Sequence, residues 1–313
     1  MGQLSQCKGV VCAGSVAVVR TPIAVVGPGA IGSTVAALAY DAGHKVLLCG
    51  RSARDSIEVR PDNAAPIVVP GPVLTDPAQI EDPVDVVLLA VKDTQTPDAA
   101  SWLRRLCDEG TVVCALQNGV EQVARVGPHC PTATVVPAVL WFSAEPHPEG
   151  GIWLRTAVRI VLPANDAASR VADVFRGSSA TVELDPDFVT EAWRKLLVNA
   201  LAGLMVLSGR RSGMFRRADV ATLSRRYLAE CLAVAQAEGA KLGAEVIEET
   251  VSLFANVPED LTTSMLTDRE ANRPLEWDIR NGVIRRKAAE HGIATPISDV
   301  VVPLLAAASD GPG

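Results

Sequence analysis

The chain has 313 residues, of which 48% are hydrophobic and 21% charged, and it carries a formal net charge of -7. That is the make-up of a globular chain long enough for two ordinary domains. The acidic balance excludes the polybasic footprint that nucleic acid or an anionic lipid surface requires. The apolar runs at 84–91 and 196–207 stop short of the roughly 20 residues a spanning helix needs, so no membrane partner is expected.

The first 20 residues, with Lys8, a weakly apolar stretch over 10–19 and then Arg20, read as an N-terminal extension rather than a signal peptide. The strand IAVVG, beginning at Ile23, leads into a glycine-rich turn, an alanine-rich helix over 31–42 and a second strand over 45–49. This is a βαβ unit. Buried strands at 84–91 and 111–116, with a helix at 96–106 between them, continue the alternation. The pattern predicts a Rossmann-type, doubly wound parallel α/β sheet over residues 21–186. Shorter strands at 139–144, 152–155 and 158–162 are expected to extend that sheet in antiparallel fashion. After Asp185-Pro186 the period changes to that of helices, predicted at 188–207, 219–242, 263–271 and 277–291, with a last one after Pro296. A second, all-helical substrate domain is therefore expected over 187–313, ending in a flexible Gly-Pro-Gly. The seven cysteines form no CxxC pair and leave an odd one over, which reads as reduced thiols in a cytoplasmic protein.

Gly27-Pro28-Gly29-Ala30-Ile31-Gly32 is GxGxxG placed between a strand and a helix. Gly27 permits the tight turn, Gly29 lets backbone approach a pyrophosphate, and Gly32 lets helix pack on strand. The helix opening at Ala30 and Ile31 offers free N–H groups to the anion. The second strand ends in Arg51-Ser52, where an NAD enzyme usually carries a carboxylate. A guanidinium followed by a hydroxyl suits a 2′-phosphate, so NADP(H) is the expected cofactor. Arg54 reads either as a helper or as a solvated loop residue. Lys92 and Asn118 end two further strands at the carboxyl edge. Lys92 reads equally as a surface lysine, and Asn118-Gly119 equally as a simple turn.

In the second half, Lys195 and Asn199 stand one helical turn apart in Trp193-Arg194-Lys195-Leu196-Leu197-Val198-Asn199. Their neighbours are apolar, and an unpartnered charge or amide is costly to bury, so a cleft explains them better than a core. Glu276 is a candidate partner for Lys195, or a carboxylate at a helix N-terminus.

Taken together, GPGAIG with Arg51, VK at Lys92, NG at 118, WRKLLVN at 193–199, TSML at 263–266 and LEWDIRNG at 275–282 resemble the ketopantoate reductase family from Ile23 to the end. The resemblance implies NADPH-dependent reduction of 2-dehydropantoate to pantoate, a step of coenzyme A biosynthesis. It implies Lys195 as general acid, Glu276 as the residue that holds and polarises it, and Asn199 and Ser264 as contacts to substrate oxygens. Asn118 and Lys92 would line the cofactor pocket, and Asn281 would cap or turn the backbone. One departure stands out: Gly203 replaces an asparagine four residues after Asn199. The expectation is an opened space beside the helix and a Gly203→Asn variant with improved ketopantoate turnover. Arg210 and Arg211 read as a solvated helix end or as a replacement anion contact. Two rivals remain, a reductase of another small 2-oxo acid and a non-catalytic NADP(H)-binding sensor. The four scattered histidines predict no metal, and a homodimer is a possible assembly.

Overall fold

The computed structural model describes residues 22–311. The proposed N-terminal extension, with Cys7 and Cys12, lies outside the described residues, as do Pro312 and Gly313. The first half contains β1 (Ile23–Val26), α1 (Ala30–Asp41), β2 (Val46–Cys49), β3 (Ser56–Pro61), β4 (Ile67–Pro70), β5 (Val73–Leu74) and β6 (Val86–Leu89). It continues with α2 (Thr96–Leu106), β7 (Val112–Ala115), α3 (Gln122–Val126), β8 (Thr134–Pro137), β9 (Val139–Trp141), β10 (Ala144–Pro146), β11 (Ile152–Leu154), β12 (Arg159–Pro163), α4 (Asp166–Val174) and β13 (Thr181–Asp185). The helical half follows as α5 (Phe188–Ser208), α6 (Ala218–Ala237), α7 (Glu245–Asn256), α8 (Ser264–Glu270), a π-helical turn (Asp278–Gly282), α9 (Val283–His291) and α10 (Ser298–Ser309).

The main sheet is a Rossmann-like parallel sheet of six strands in the order β5-β2-β1-β6-β7-β8. Its central strands β1, β6 and β7 are buried on both faces, and alternate residues serve two cores: Ile23, Val25, Val112 and Cys114 pack on one side, Ala24, Val26, Val113 and Ala115 on the other. That two-sided burial is why these strands read as continuous apolar runs.

The expected antiparallel extension is corrected by the structure. Residues 139–144 break into β9 and β10, which belong to different sheets. A four-stranded sheet, β10-β11-β3-β4, includes a β3–β4 hairpin that carried no clear signal, and a three-stranded sheet, β13-β12-β9, is separate again. The physical reason lies in α1, whose Gly32 to Ala39 are buried. The four-stranded sheet covers the face of α1 turned away from the parallel sheet, giving an apolar helix a second layer to pack against.

The helical half packs around α5, which contributes Trp193, Leu196, Leu197, Ala200, Leu201 and Met205 to a core shared with α6, α7, α8 and α10. The helix expected over 219–242 ends early, at Ala237, where Gly239 takes a φ of +93°, and a helix that was not expected, α7, follows from Glu245. Among the described residues no helix is long and apolar enough to cross a membrane, and the five described cysteines are free thiols.

Candidate active site

After β1 the chain turns at Gly27 with φ +89°, and a Cβ there would lie 2.6 Å from Val91 Cγ1. A Cβ on Gly32 would lie 2.2 Å from the Gly27 carbonyl oxygen, so α1 approaches the turn this closely only because residue 32 has no side chain. Gly29 differs: a Cβ there meets nothing within 4 Å, and as N-cap of α1 it brings no side chain to the first-turn donors. The N–H groups following it, at Ala30, Ile31 and Gly32, open the helix with no side-chain cap from Gly29. Arg51 and Ser52 stand exposed beyond β2. Arg54 is not a free loop arginine, since its Nη2 donates to the Pro28 carbonyl at 2.7 Å and ties that loop to the glycine turn.

Across the cleft Glu276, almost wholly buried, forms a hub. Its Oε2 accepts from Arg280 Nη2 at 2.9 Å and from Asn118 Nδ2 at 3.1 Å, and its Oε1 accepts from the Asp93 backbone N–H at 3.3 Å. Asn199 Nδ2 donates to Asn118 Oδ1 at 3.3 Å, and Arg280 Nη2 also donates to Ser264 Oγ at 3.1 Å. Asn118, Asn199, Ser264 and Glu276, four residues from four stretches of sequence, thus meet in one network. Lys92 stands at its edge in an ion pair with the buried Asp268 of α8.

Lys195 is arranged otherwise than the resemblance implies. Its Nζ lies 4.1 Å from the centroid of the Trp141 ring and makes no hydrogen bond to Glu276. Trp141 is itself fixed, its Nε1 donating at 2.7 Å to Glu191 Oε1, which also accepts from Arg159 at 2.7 Å. The reason is local. Arg280 lies four residues after Glu276, so its planar fork reaches the carboxylate from the same stretch of chain. Burial pulls the Lys195 ammonium down to about 8, the Arg280 charge acts in the same direction, and Glu191 opposes both. For Glu276, burial pushes upward, but the charge and hydrogen bond of Arg280, the Asp93 N–H and Lys92 outweigh it and hold the carboxyl below its ordinary range. The site therefore holds a firm carboxylate and, apart from it, an ammonium that gives up its proton readily.

Gly203 does not open a space. A Cβ there would lie 2.8 Å from Asn281 Nδ2 and 3.2 Å from Leu305 Cδ1. Asn281 is fully buried and donates at 2.9 Å to both the Ala200 carbonyl and the Tyr227 hydroxyl, so it fastens α5 and α6 rather than capping its own turn. Arg211 pairs with Glu270 at the surface, as suits a helix end. A second charged cluster crosses between the halves: Arg125 pairs with Asp93, Glu121 and Asp278, and Arg286 with Glu121 and Asp278. Sequence reasoning missed Arg280, Trp141 and Asp268. Only Arg280 had a readable signal, its i,i+4 spacing from Glu276.

This chain matches the family model described as Ketopantoate reductase PanE/ApbA over residues 23–167, and its C-terminal counterpart over residues 187–309. The chain belongs to the ketopantoate reductase family. A 2-dehydropantoate 2-reductase of Mycobacterium tuberculosis is 64% identical over 293 residues, covering 94% of this chain and 99% of that protein. One from Caulobacter vibrioides is 36% identical over 92% of this chain and 99% of that protein. A dimeric ketopantoate reductase from Staphylococcus aureus superposes with a TM-score of 0.82 at 26% identity, over 92% of this chain and 98% of that one. As a ketopantoate reductase family member this chain is an oxidoreductase that uses a nicotinamide cofactor. The bare backbone cradle at Gly29 fits the pyrophosphate of such a group.

Proposed function

We propose that this chain reduces 2-dehydropantoate to pantoate with NADPH. Residues 21–186 form the cofactor domain and 187–313 the substrate domain. The observation that carries the reading is Lys195, held one turn from Asn199 on a buried helix, with a proton released at about 8. The residues available for the cofactor are the Gly27, Gly29 and Gly32 turn with the N–H groups of Ala30 and Ile31, and Arg51 and Ser52 for a 2′-phosphate. The loop after β2 presents these in place of a carboxylate. When bound, the reduced nicotinamide supplies hydride to the carbonyl carbon.

Every other part belongs to the chain. Lys195 stabilises the developing alkoxide and gives its Nζ proton to that oxygen. Its four-carbon stem lets Nζ swing from the Trp141 face without moving the helix. Asn199, Asn118 and Ser264 hold the substrate's oxygens, Glu276 stays charged and fixes Asn118 and Arg280, and Glu191 favours the charged form of Lys195. Lys92, bridged to Asp268, lines the cofactor side. A cytoplasmic location and a homodimer belong to the same reading, supported by the free thiols and by the dimeric structural neighbour.

The test is NADPH oxidation with 2-dehydropantoate and a panel of simpler 2-oxo acids, comparing the native chain with Lys195→Ala. The expected result is ketopantoate turnover that falls by about 10²–10⁴-fold in the variant with NADPH affinity kept. Lys195-dependent turnover of a different 2-oxo acid reassigns the substrate, and cofactor binding without turnover removes the enzymatic reading.

A further inference from the structure

Arg280 is a charged residue that the described mechanism leaves without a task. Its side chain is 5% exposed and it lies in the π-helical turn between Glu276 and Asn281. Of the five N–H donors of a guanidinium, Nη2 supplies two, to Glu276 and to Ser264. Nε is enclosed and has no partner, and among the described residues the hydrogen bonds of Arg280 are made by Nη2. A buried, unpaired guanidinium N–H is expensive, so the site is organised to receive a further acceptor.

The electrostatics point the same way: the Arg280 charge reaches Lys195 and favours loss of its proton, a juxtaposition of two cations that a bound anion relieves. A 2-oxo acid brings one negative charge, on the carbon next to the carbonyl that Lys195 protonates. Ser264, already hydrogen-bonded to Arg280, stands where a carboxylate would share its hydroxyl with the guanidinium.

We propose that Arg280 is the specificity-determining residue that reads the substrate's carboxylate, taking it on its unused N–H donors beside Ser264. This rests on the 2-oxo acid reading above and names the part of the substrate that the site recognises. A guanidinium N–H donates a charge-assisted hydrogen bond to a carboxylate oxygen, stronger than the one it makes to the carbonyl of a neutral amide or ester of the same acid. Arg280 thereby selects acids over their neutral derivatives and places the oxo group within reach of Lys195. The contact to Glu276 remains in place and keeps Arg280 oriented.

The experiment measures binding and turnover separately. Pantoate and its neutral amide are titrated calorimetrically into the NADP+-saturated chain, and kcat and KM for 2-dehydropantoate are measured, for the native protein, Arg280→Gln and Arg280→Lys. The expected result is a preference for pantoate over the amide in the native chain. Arg280→Gln should weaken pantoate binding and raise KM by about 100-fold, with kcat changed far less and NADP+ affinity kept. Arg280→Lys, which preserves the charge if Arg280→Gln fails to fold, should recover part of the preference for the acid. A native chain that binds both ligands equally, or a folded variant that keeps the full preference, overturns the role of Arg280. Absence of ketopantoate turnover alongside Arg280-dependent preference for the acid would instead overturn the assigned reaction and leave the carboxylate site standing.

Discussion

The glycine turn and the turn that begins at Glu276 belong to different halves of the chain and are made of opposite materials. Residues 27–32 work through missing atoms: a Cβ on Gly27 or Gly32 collides with backbone, while at Gly29 it meets nothing. Residues 276–282 work through crowding, with Glu276, Ile279, Arg280, Asn281 and Gly282 all buried and the charges matched at short range. Missing atoms leave a trace in spacing, because only glycine tolerates the positions. Matched charges leave only a set of candidates, because which cation a carboxylate takes depends on reach in three dimensions.

The contrast can be broken hardest at Gly32. Gly32→Ala places a Cβ against a carbonyl of the same turn, and we expect a stability loss of about 3 kcal/mol or more together with weakened NADPH binding. Thermal denaturation with and without NADPH measures both, and an unchanged melting temperature would show that the turn yields. Next in size, Arg51→Asp sets a carboxylate where a 2′-phosphate is expected. It should cost about 1.5–3 kcal/mol, or about 10–150-fold, of the NADPH preference over NADH, read as the ratio of kcat/KM values. An unaltered ratio removes Arg51 from the cofactor site.

Gly203→Asn tests the crowded side. The notion of a vacant pocket beside α5 predicts a better enzyme, whereas the contacts of Asn281 and Leu305 predict a loss of about 1–3 kcal/mol in stability. Equilibrium unfolding in urea decides, and higher ketopantoate turnover at full stability would restore the vacant pocket. The smallest effect is in pH. Lys195 is charged below about 8 and neutral above it, so reduction should be level at lower pH and decline above 8, by about tenfold or 1.4 kcal/mol per unit. A profile level to pH 10 would falsify the assignment of Lys195 as the acid.

The parallel sheet and the glycine turn were legible because each rests on a local rule: two-sided burial makes apolar runs, and close approach demands glycine. The hairpin of β3 and β4 was not, since its residues are half exposed and its role is to cover α1, a fact of tertiary packing. The residues gathered around Glu276 were nameable one at a time from the family motif. Their wiring was not: Lys195 rests on Trp141, and Arg280 occupies the carboxylate expected to hold it. Trp141 sits in a short strand with no periodic signal, so nothing in the sequence tied it to a residue more than 50 positions away. Gly203 was misread for a related reason, since a glycine signals either space or a close neighbour, and only the structure shows Asn281 against it.

The π-helical turn at Asp278–Gly282 sets how those neighbours are shared. A turn closed by i→i+5 bonds holds one residue more than an α-helical turn, and here it points two adjacent polar side chains inward, Arg280 toward the cleft and Asn281 toward α5 and α6. Excising a single residue from it would restore an ordinary helix and rotate everything beyond by about 100°. One of the two anchors would then face away, and the network around Glu276 and the helical core could no longer be served by the same stretch of chain.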